Sequence, residues 1–252
     1  MRTPIPQLSV SGSLALLVVA LAGGAWGRGA TVPFVGCGEM DEGLYTDPPT
    51  GGDMLVDLDS GTARQIAYYK GKWTPGVFAP RGWHCLGGSG SSRERLVVSL
   101  DAIDSTDLPR LTGSAIEADR WFGGTSGRLE VAIVSSRLFP RIAASFVDQV
   151  KREGLVPDSD FERNPGVRDT VSFPSAVIAR VVTPERTDGF GTEQSLLPAG
   201  APIHSIVVLD TLSDWDLEVL RMRLETASHL EGVLLRLNQA CMTQAACFGG
   251  PP

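Results

Sequence analysis

The runs Ala176–Val182 (AVIARVV) and Ile203–Leu209 (IHSIVVL) decide the class of fold. Both are rich in β-branched residues, and this composition predicts strands. Between them lies a stretch of about twenty residues, Thr183–Pro202, which we predict to be a loop. Loops of that length within a compact domain are often functional, so this one is a candidate surface for binding.

The segments on either side of the two runs add helices to the predicted sheet. Arg128–Ser135 (RLEVAIVS) alternates polar and apolar residues before becoming uniformly apolar, which predicts a strand, whereas Phe139–Glu153 has apolar residues at helical spacing. Ser213 is predicted to begin a second helix, and its apolar stripe would extend as far as Cys241. From residue 128 the predicted order is therefore strand, helix, strand, strand, helix.

This order predicts an α+β fold, with a mixed or antiparallel sheet and helices packed on one face. A ferredoxin-like C-terminal half is one specific version of it. Residues 31–127 are rich in Gly, Pro and aromatic residues, and we expect a loop-rich N-terminal region with short strands. Residues 128–252 form the predicted α+β region, either as a separate domain or as one domain with 31–127.

The first 27 residues have the features of a signal peptide. Arg2 supplies a positive start, Leu14–Ala22 (LALLVVALA) is an apolar run, and small residues follow it. A run of about nine residues is far shorter than the roughly 20 that span a bilayer, so we expect no transmembrane anchor. Cleavage is expected between positions 22 and 30, which places the mature protein in the periplasm or outside a bacterial cell.

Four cysteines fit an exported chain: Cys37, Cys85, Cys241 and Cys247. An even number of cysteines in an oxidising compartment favours disulfides, and four allow three pairings. Pairs close in sequence, Cys37–Cys85 and Cys241–Cys247, are favoured because short loops close at low entropic cost. Neither pair has the C-x-x-C spacing of a zinc site, and we expect no bound metal and no cofactor.

The charge of the chain excludes one class of partner. Its formal net charge is −7, and removal of Arg2 and Arg28 with the leader takes away two positive charges and gives −9. An acidic chain with no basic run does not fit nucleic acid as a partner.

No catalytic motif is evident, and the three histidines (His84, His204 and His229) lie far apart in the sequence. His84 stands between Trp83 and Cys85, beside a predicted disulfide, and is the one candidate for an acid/base residue. The Gly87–Ser92 run lacks the pattern of a phosphate loop or a nucleophile elbow and is predicted to be a flexible turn.

Two surfaces are candidates for ligand binding. Trp73, Phe78 and Trp83 lie in a segment dense in Pro and Gly, and together they could line an aromatic groove. In the predicted long loop, Arg186 and Phe190 stand among turn-forming residues and could contact a ligand.

Three short motifs occur along the mature chain: Pro33–Cys37 (PFVGC), Ala79–Cys85 (APRGWHC), and Thr183-Pro184 followed by Gly189–Thr192 (GFGT). Together they resemble a family of uncharacterised exported bacterial proteins. The resemblance implies no activity, so no functional residue is carried over from it. It supports the pairing of Cys37 with Cys85, since both lie within the resembling motifs.

The leading functional hypothesis is a non-enzymatic envelope or secreted protein that binds a small ligand, an envelope component or another protein. The alternative is a periplasmic hydrolase that acts on envelope material, with His84 and a nearby carboxylate as acid and base. A purely structural envelope protein is a third hypothesis, and it predicts no sizeable pocket.

Overall fold

The structure is a computed structural model, and it describes residues 29–41, 43–103, 110–155, 157–162, 168–212 and 214–244. The predicted signal peptide, Ser213 and Cys247 lie outside these residues.

The described elements are mostly short strands. The strands are β1 (Ala30–Val32), β2 (Phe34–Gly36), β3 (Gly38–Asp41), β4 (Leu44–Thr46), β5 (Met54–Val56), β6 (Ile66–Lys70), β7 (Val77–Pro80), β8 (His84–Ser89), β9 (Arg93–Ser99), β10 (Ala115–Trp121), β11 (Thr170–Ser175), β12 (Ile178–Thr183), β13 (Ile203–Asp210) and β14 (Asp216–Arg223). The helices are α1 (Ser60–Ala63), α2 (Arg128–Leu138), α3 (Ala144–Arg152), α4 (Asp158–Glu162) and α5 (Glu231–Met242), the last preceded by a 3₁₀ turn, Ser228–Leu230.

One large sheet organises the chain. Nine strands stand in the order β11-β12-β13-β14-β10-β9-β8-β3-β4, and every neighbouring pair is antiparallel except β3 and β8. A three-stranded sheet (β2-β6-β7) and a strand pair (β1-β5) complete the strands. The α+β class and the mixed sheet are therefore confirmed, and strands from both 31–127 and 128–252 stand in the same sheet.

Both faces of the large sheet are covered. Along β14, Leu220 and Met222 face a core that they share with the three-stranded sheet and α5. Leu217 and Val219 point to the opposite face, into a core formed with α2 and α3. Because successive side chains of a strand point to opposite faces, a strand covered on both sides is apolar at odd and even positions alike. The prediction that helices pack on one face only was wrong.

Residues 128–138 form a helix and not the predicted strand. Five residues of α2 are buried, and their spacing of one, three, four and seven positions matches one face of a helix: Val131, Ala132, Val134, Ser135 and Leu138. The short alternation at its start was mistaken for a strand pattern. The helix predicted from Phe139 begins five residues later, as α3, and Gly154 follows it at a φ of +65°.

The helix predicted from Ser213 to Cys241 is in fact strand β14 followed by α5. Strands β11 to β14 are an antiparallel meander, in which each strand pairs with the next along the chain. The ferredoxin-like arrangement is not confirmed, because no described helix separates these four strands.

The N-terminal part contains more strand than its composition indicated. The predicted turn Gly87–Ser92 contributes its first three residues to β8. Cys37 and Cys85 are disulfide-bonded, with Cα atoms 5.5 Å apart, at the start of the parallel pairing between β3 and β8. This predicted pairing is confirmed, whereas the pairing of Cys241 with Cys247 stays a prediction.

Within the described ranges, no helix has the length and apolar character needed to span a membrane.

Candidate functional site

Three ionisable side chains stand side by side on the α5 face of the large sheet. Arg120 of β10 is in register with Glu218 of β14 on one side and with Glu94 of β9 on the other. Directly opposed side chains on neighbouring strands have Cβ atoms about 5 Å apart. The strand register thus places one arginine between two carboxyl groups, although the three residues are distant in sequence.

A cavity of about 600 Å³ opens beside this row. It lies where β13 and β14 approach the end of α5, and we call it the Glu218 pocket. Its lining combines apolar side chains, among them Val177, Val208 and Met242, with polar ones: Arg120, Asp210, Thr211, Glu218, Thr243 and Gln244. Small-molecule sites in proteins commonly have volumes of about 300–1,000 Å³ and combine apolar walls with a few polar groups.

Glu218 is the unusual group of this pocket. Its side chain is buried, with 6% of the residue exposed, and among the described residues its Oε2 atom has no hydrogen-bond partner. Burial raises the pKa of Glu218 to about 9, although the charge of Arg120 opposes the shift. Glu218 is therefore protonated at neutral pH.

Arg120 forms its hydrogen bonds with a different carboxylate. Its Nε and Nη2 atoms donate to Asp216 Oδ2 at 3.2 and 2.8 Å. Asp216 Oδ1 accepts a further hydrogen bond from the backbone N–H of Gly123, at 3.1 Å. On the far side of Arg120, burial raises the pKa of Glu94 to about 7, against the opposing charges of Arg120 and Lys70. Arg120 thus binds Asp216 directly, and its charge offsets only part of the effect of burial on the pKa values of Glu218 and Glu94.

The connection between β13 and β14 holds the acidic residues at this end of the sheet. Asp210 and Asp216 are directly paired across it. Trp215 has a φ of +65°, a conformation that is costly for a bulky residue, and its ring stacks on Phe146 of α3 at 5.2 Å. Packing on the far side of the sheet therefore fixes the turn that leads into Asp216 and Glu218.

A second charged cluster lies on the opposite face of the sheet, where it fixes the predicted loop. Asp119 accepts hydrogen bonds from Arg95 at 2.6 Å and from Arg221 at 3.0 Å, and all three are buried. Arg95 also donates to the carbonyl of Gln194, and Arg221 to that of Glu193. Since these arginines bind backbone carbonyls of residues 184–202, we interpret the cluster as an anchor for the loop.

The aromatic residues predicted to bind a ligand differ in exposure. Trp73 is 51% exposed, and its backbone N–H donates to Glu39. Phe78 and Trp83 are 4% and 9% exposed and belong to the core beneath the three-stranded sheet. Only Trp73 of the three is open to a ligand in this conformation.

The two residues of the long loop that were predicted to contact a ligand, Arg186 and Phe190, also differ in exposure. Arg186 is exposed, has a φ of +52°, and donates its backbone N–H to the carbonyl of Gly200 at 2.7 Å. Phe190 is 2% exposed and lies against the guanidinium of Arg221, 5.4 Å from the ring centre. Phe190 therefore packs the loop onto the sheet, and Arg186 is the exposed member of the pair.

His84 is exposed, and among the described residues its imidazole makes no hydrogen bond or ion pair. The carboxylate partner that an acid/base role requires is thus not in place. His204 lies 3.2 Å from Glu231, and His229 lies 2.9 Å from Gln65, so the histidines do not converge. The described residues also contain no group of three or more His, Cys, Asp or Glu side chains that could hold a metal ion.

Glu218, Arg120 and Glu94 were not among the site residues predicted from the sequence. The signal for Glu218 was present in Asp216–Arg223 (DLEVLRMR), which alternates polar and apolar residues but changes phase at Val219-Leu220. That change places Asp216 and Glu218 on one face and the two arginines on the other. The leucines of this segment also fit the apolar stripe of a helix, so the strand was not recognised.

Comparison of the chain with protein-family models, with curated proteins and with solved structures finds no match. The function is therefore inferred from the geometry of the chain itself.

Proposed function

We propose that this protein is an exported, non-enzymatic binding protein that takes up a small organic ligand in the Glu218 pocket. The observation that carries the proposal is a cavity of about 600 Å³ with apolar walls and a buried carboxyl oxygen that lacks a partner among the described residues. A buried polar atom without a hydrogen bond costs about 1–3 kcal/mol, and a ligand that supplies the bond recovers part of that cost.

Export is the other half of the proposal. The leader-like start of the sequence supports it, and so does the Cys37–Cys85 disulfide, because disulfides persist mainly in oxidising compartments. The proposed location is the periplasm or the outside of a bacterial cell. Mass spectrometry of the protein recovered from cell fractions tests this point, and a chain that keeps residues 1–27 and four free thiols would contradict it.

Binding is tested by a nuclear magnetic resonance titration with a library of small organic fragments. We expect the shifted amide signals to cluster at the wall of the Glu218 pocket, in residues 208–212, 218 and 242–244. The variant Val177→Trp places a large ring in the wall and should abolish these shifts.

A matched control replaces an exposed residue far from the pocket. Leu155→Trp, at a position 60% exposed after α3, should leave the shifts unchanged. If no fragment shifts the pocket signals, or if Val177→Trp binds as the unmodified protein does, the pocket is not the binding site.

The structure gives the hydrolase hypothesis no comparable support, because His84 has no carboxylate partner in the described residues. A catalytic role for His84 stays a prediction of the sequence alone.

A further inference from the structure

The ionisable side chains in the described lining of the Glu218 pocket are mainly acidic. Arg120 is the one basic residue of its described lining, and its guanidinium is already hydrogen-bonded to Asp216. Asp210 and Glu218 both line the cavity, and strand register places them on the same face of the sheet as Asp216. The pocket therefore contains more acidic groups than basic ones.

Part of the lining is apolar, and it lies beside the acidic groups, since Val208 is paired directly with Glu218. Val177, Val208 and Met242 come from the start of β12, from β13 and from the end of α5. None of them offers a polar side-chain group to a ligand. An occupant that matches both kinds of lining has a charged or polar head and a hydrocarbon body.

From this arrangement we infer that the ligand is an organic cation with an apolar body, an amine or a guanidine, whose head lies against Glu218 and Asp210. The inference rests on the proposed function and adds the chemical class of the ligand. The second observation behind it, besides the acidic lining, is the Oε2 atom of Glu218, which is buried and has no partner among the described residues. Once the carboxyl group is ionised, this oxygen can accept a hydrogen bond from an N–H donor of the ligand.

Binding of a cation changes the protonation of the pocket. In the empty protein, burial holds the pKa of Glu218 at about 9, against the charge of Arg120 and together with the nearby carboxyl groups of Asp210, Asp216 and Glu94. A cation at the carboxyl group stabilises its ionised form. The protonated amine then enters as a cation, the Glu218 carboxyl becomes a carboxylate, and one proton passes to the solvent.

A neutral ligand would behave differently. An alcohol can accept a hydrogen bond from the protonated Glu218 carboxyl group and leave its proton in place. Proton release on binding therefore separates a cation from a neutral ligand that occupies the same cavity.

The test uses three probes of equal chain length: hexylamine, hexan-1-ol and hexanoate. Affinity is measured by nuclear magnetic resonance titration of the full mature protein at pH 7, and proton release by titration in weakly buffered solution. We expect the amine to bind at least tenfold more tightly than the alcohol, with about one proton released per protein molecule. In Glu218→Gln the preference should fall below threefold and the proton release should vanish, whereas Glu185→Gln, at an exposed loop position, should keep both.

The outcomes distinguish the two proposals. If the alcohol or the carboxylate binds in the pocket as tightly as the amine, and no proton is released, the ligand is not a cation, but the pocket remains a binding site. If none of the three probes binds in the pocket, the inference and the proposed function both fail. Equal proton release by Glu218→Gln would assign the titration to another group and overturn the inference.

Discussion

Replacement of Glu218 by Gln should stabilise the protein, and the gain should increase with pH. Glu218 keeps its proton in the folded state up to a pKa of about 9, whereas its ordinary value is 4.5. In the unfolded chain the carboxyl group therefore ionises at lower pH than in the folded protein. The stability that this group contributes is complete below pH 4.5 and is lost as the pH rises towards 9.

The size of the effect follows from these two values. Each pH unit between them lowers the free energy of unfolding by about 1.4 kcal/mol. pH 7 lies 2.5 pH units above 4.5, so the free energy of unfolding has fallen by about 3 kcal/mol there. At pH 5 the fall is below about 1 kcal/mol. Glu218→Gln does not titrate, so relative to the unmodified protein it should gain about 2–3 kcal/mol between pH 5 and pH 7.

Urea denaturation of both proteins at pH 5 and pH 7, with the disulfide intact, measures this difference. Glu185→Gln is the control, because an exposed carboxylate should give the same small difference at both pH values. If the stability difference between Glu218→Gln and the unmodified protein is the same at pH 5 and pH 7, Glu218 ionises as an exposed carboxylate does, and the reasoning from its burial is refuted.

Three further variants test, by urea denaturation, the interactions that stabilise the fold. Asp119→Asn removes the negative charge that two buried arginines share, and it should lower the free energy of unfolding by about 3–5 kcal/mol. Unchanged stability would show that the cluster is not an anchor. Replacing both Cys37 and Cys85 by Ser removes the disulfide between residues 48 positions apart. In the chain-entropy model the free energy of unfolding should fall by about 4 kcal/mol, and a loss below about 1 kcal/mol would contradict that reasoning. Arg223 is buried at the end of β14 and donates hydrogen bonds to the backbone carbonyls of Gly113 and Pro198. Arg223→Met leaves these carbonyls without their donor and should cost about 3 kcal/mol, while a neutral effect would mean that water replaces the guanidinium.

The strands with an unbroken apolar pattern were predictable from the sequence. Ile206–Leu209 is such a run, and the structure has β13 over Ile203–Asp210. Central strands with charges are harder to recognise, because each face has its own polar and apolar positions. In β14 the charges lie on one face at its start and on the other at its end, so neither a period of two nor a period of 3.6 fits all eight residues.

The candidate site could not be predicted for a related reason. Glu218, Arg120 and Glu94 come from three strands, and only the register of the sheet makes them neighbours. Sequence analysis can identify a residue type that is suited to a site, but it cannot show that a glutamate is buried without a partner. The Cys37–Cys85 pairing was predictable, because chemistry and loop length leave few alternatives.

The two outer strands of the nine-stranded sheet determine how the protein behaves at high concentration. A free sheet edge can pair with the edge of another molecule, and such pairing begins aggregation. At one end, β4 has only three residues, and at the other, β11 contains Pro174 and a register shift between Ser172 and Ser175. A short edge and an edge interrupted by proline and a shift are both poor templates for an added strand. We therefore expect a sheet of this width to remain protected from edge-to-edge polymerisation in a crowded compartment.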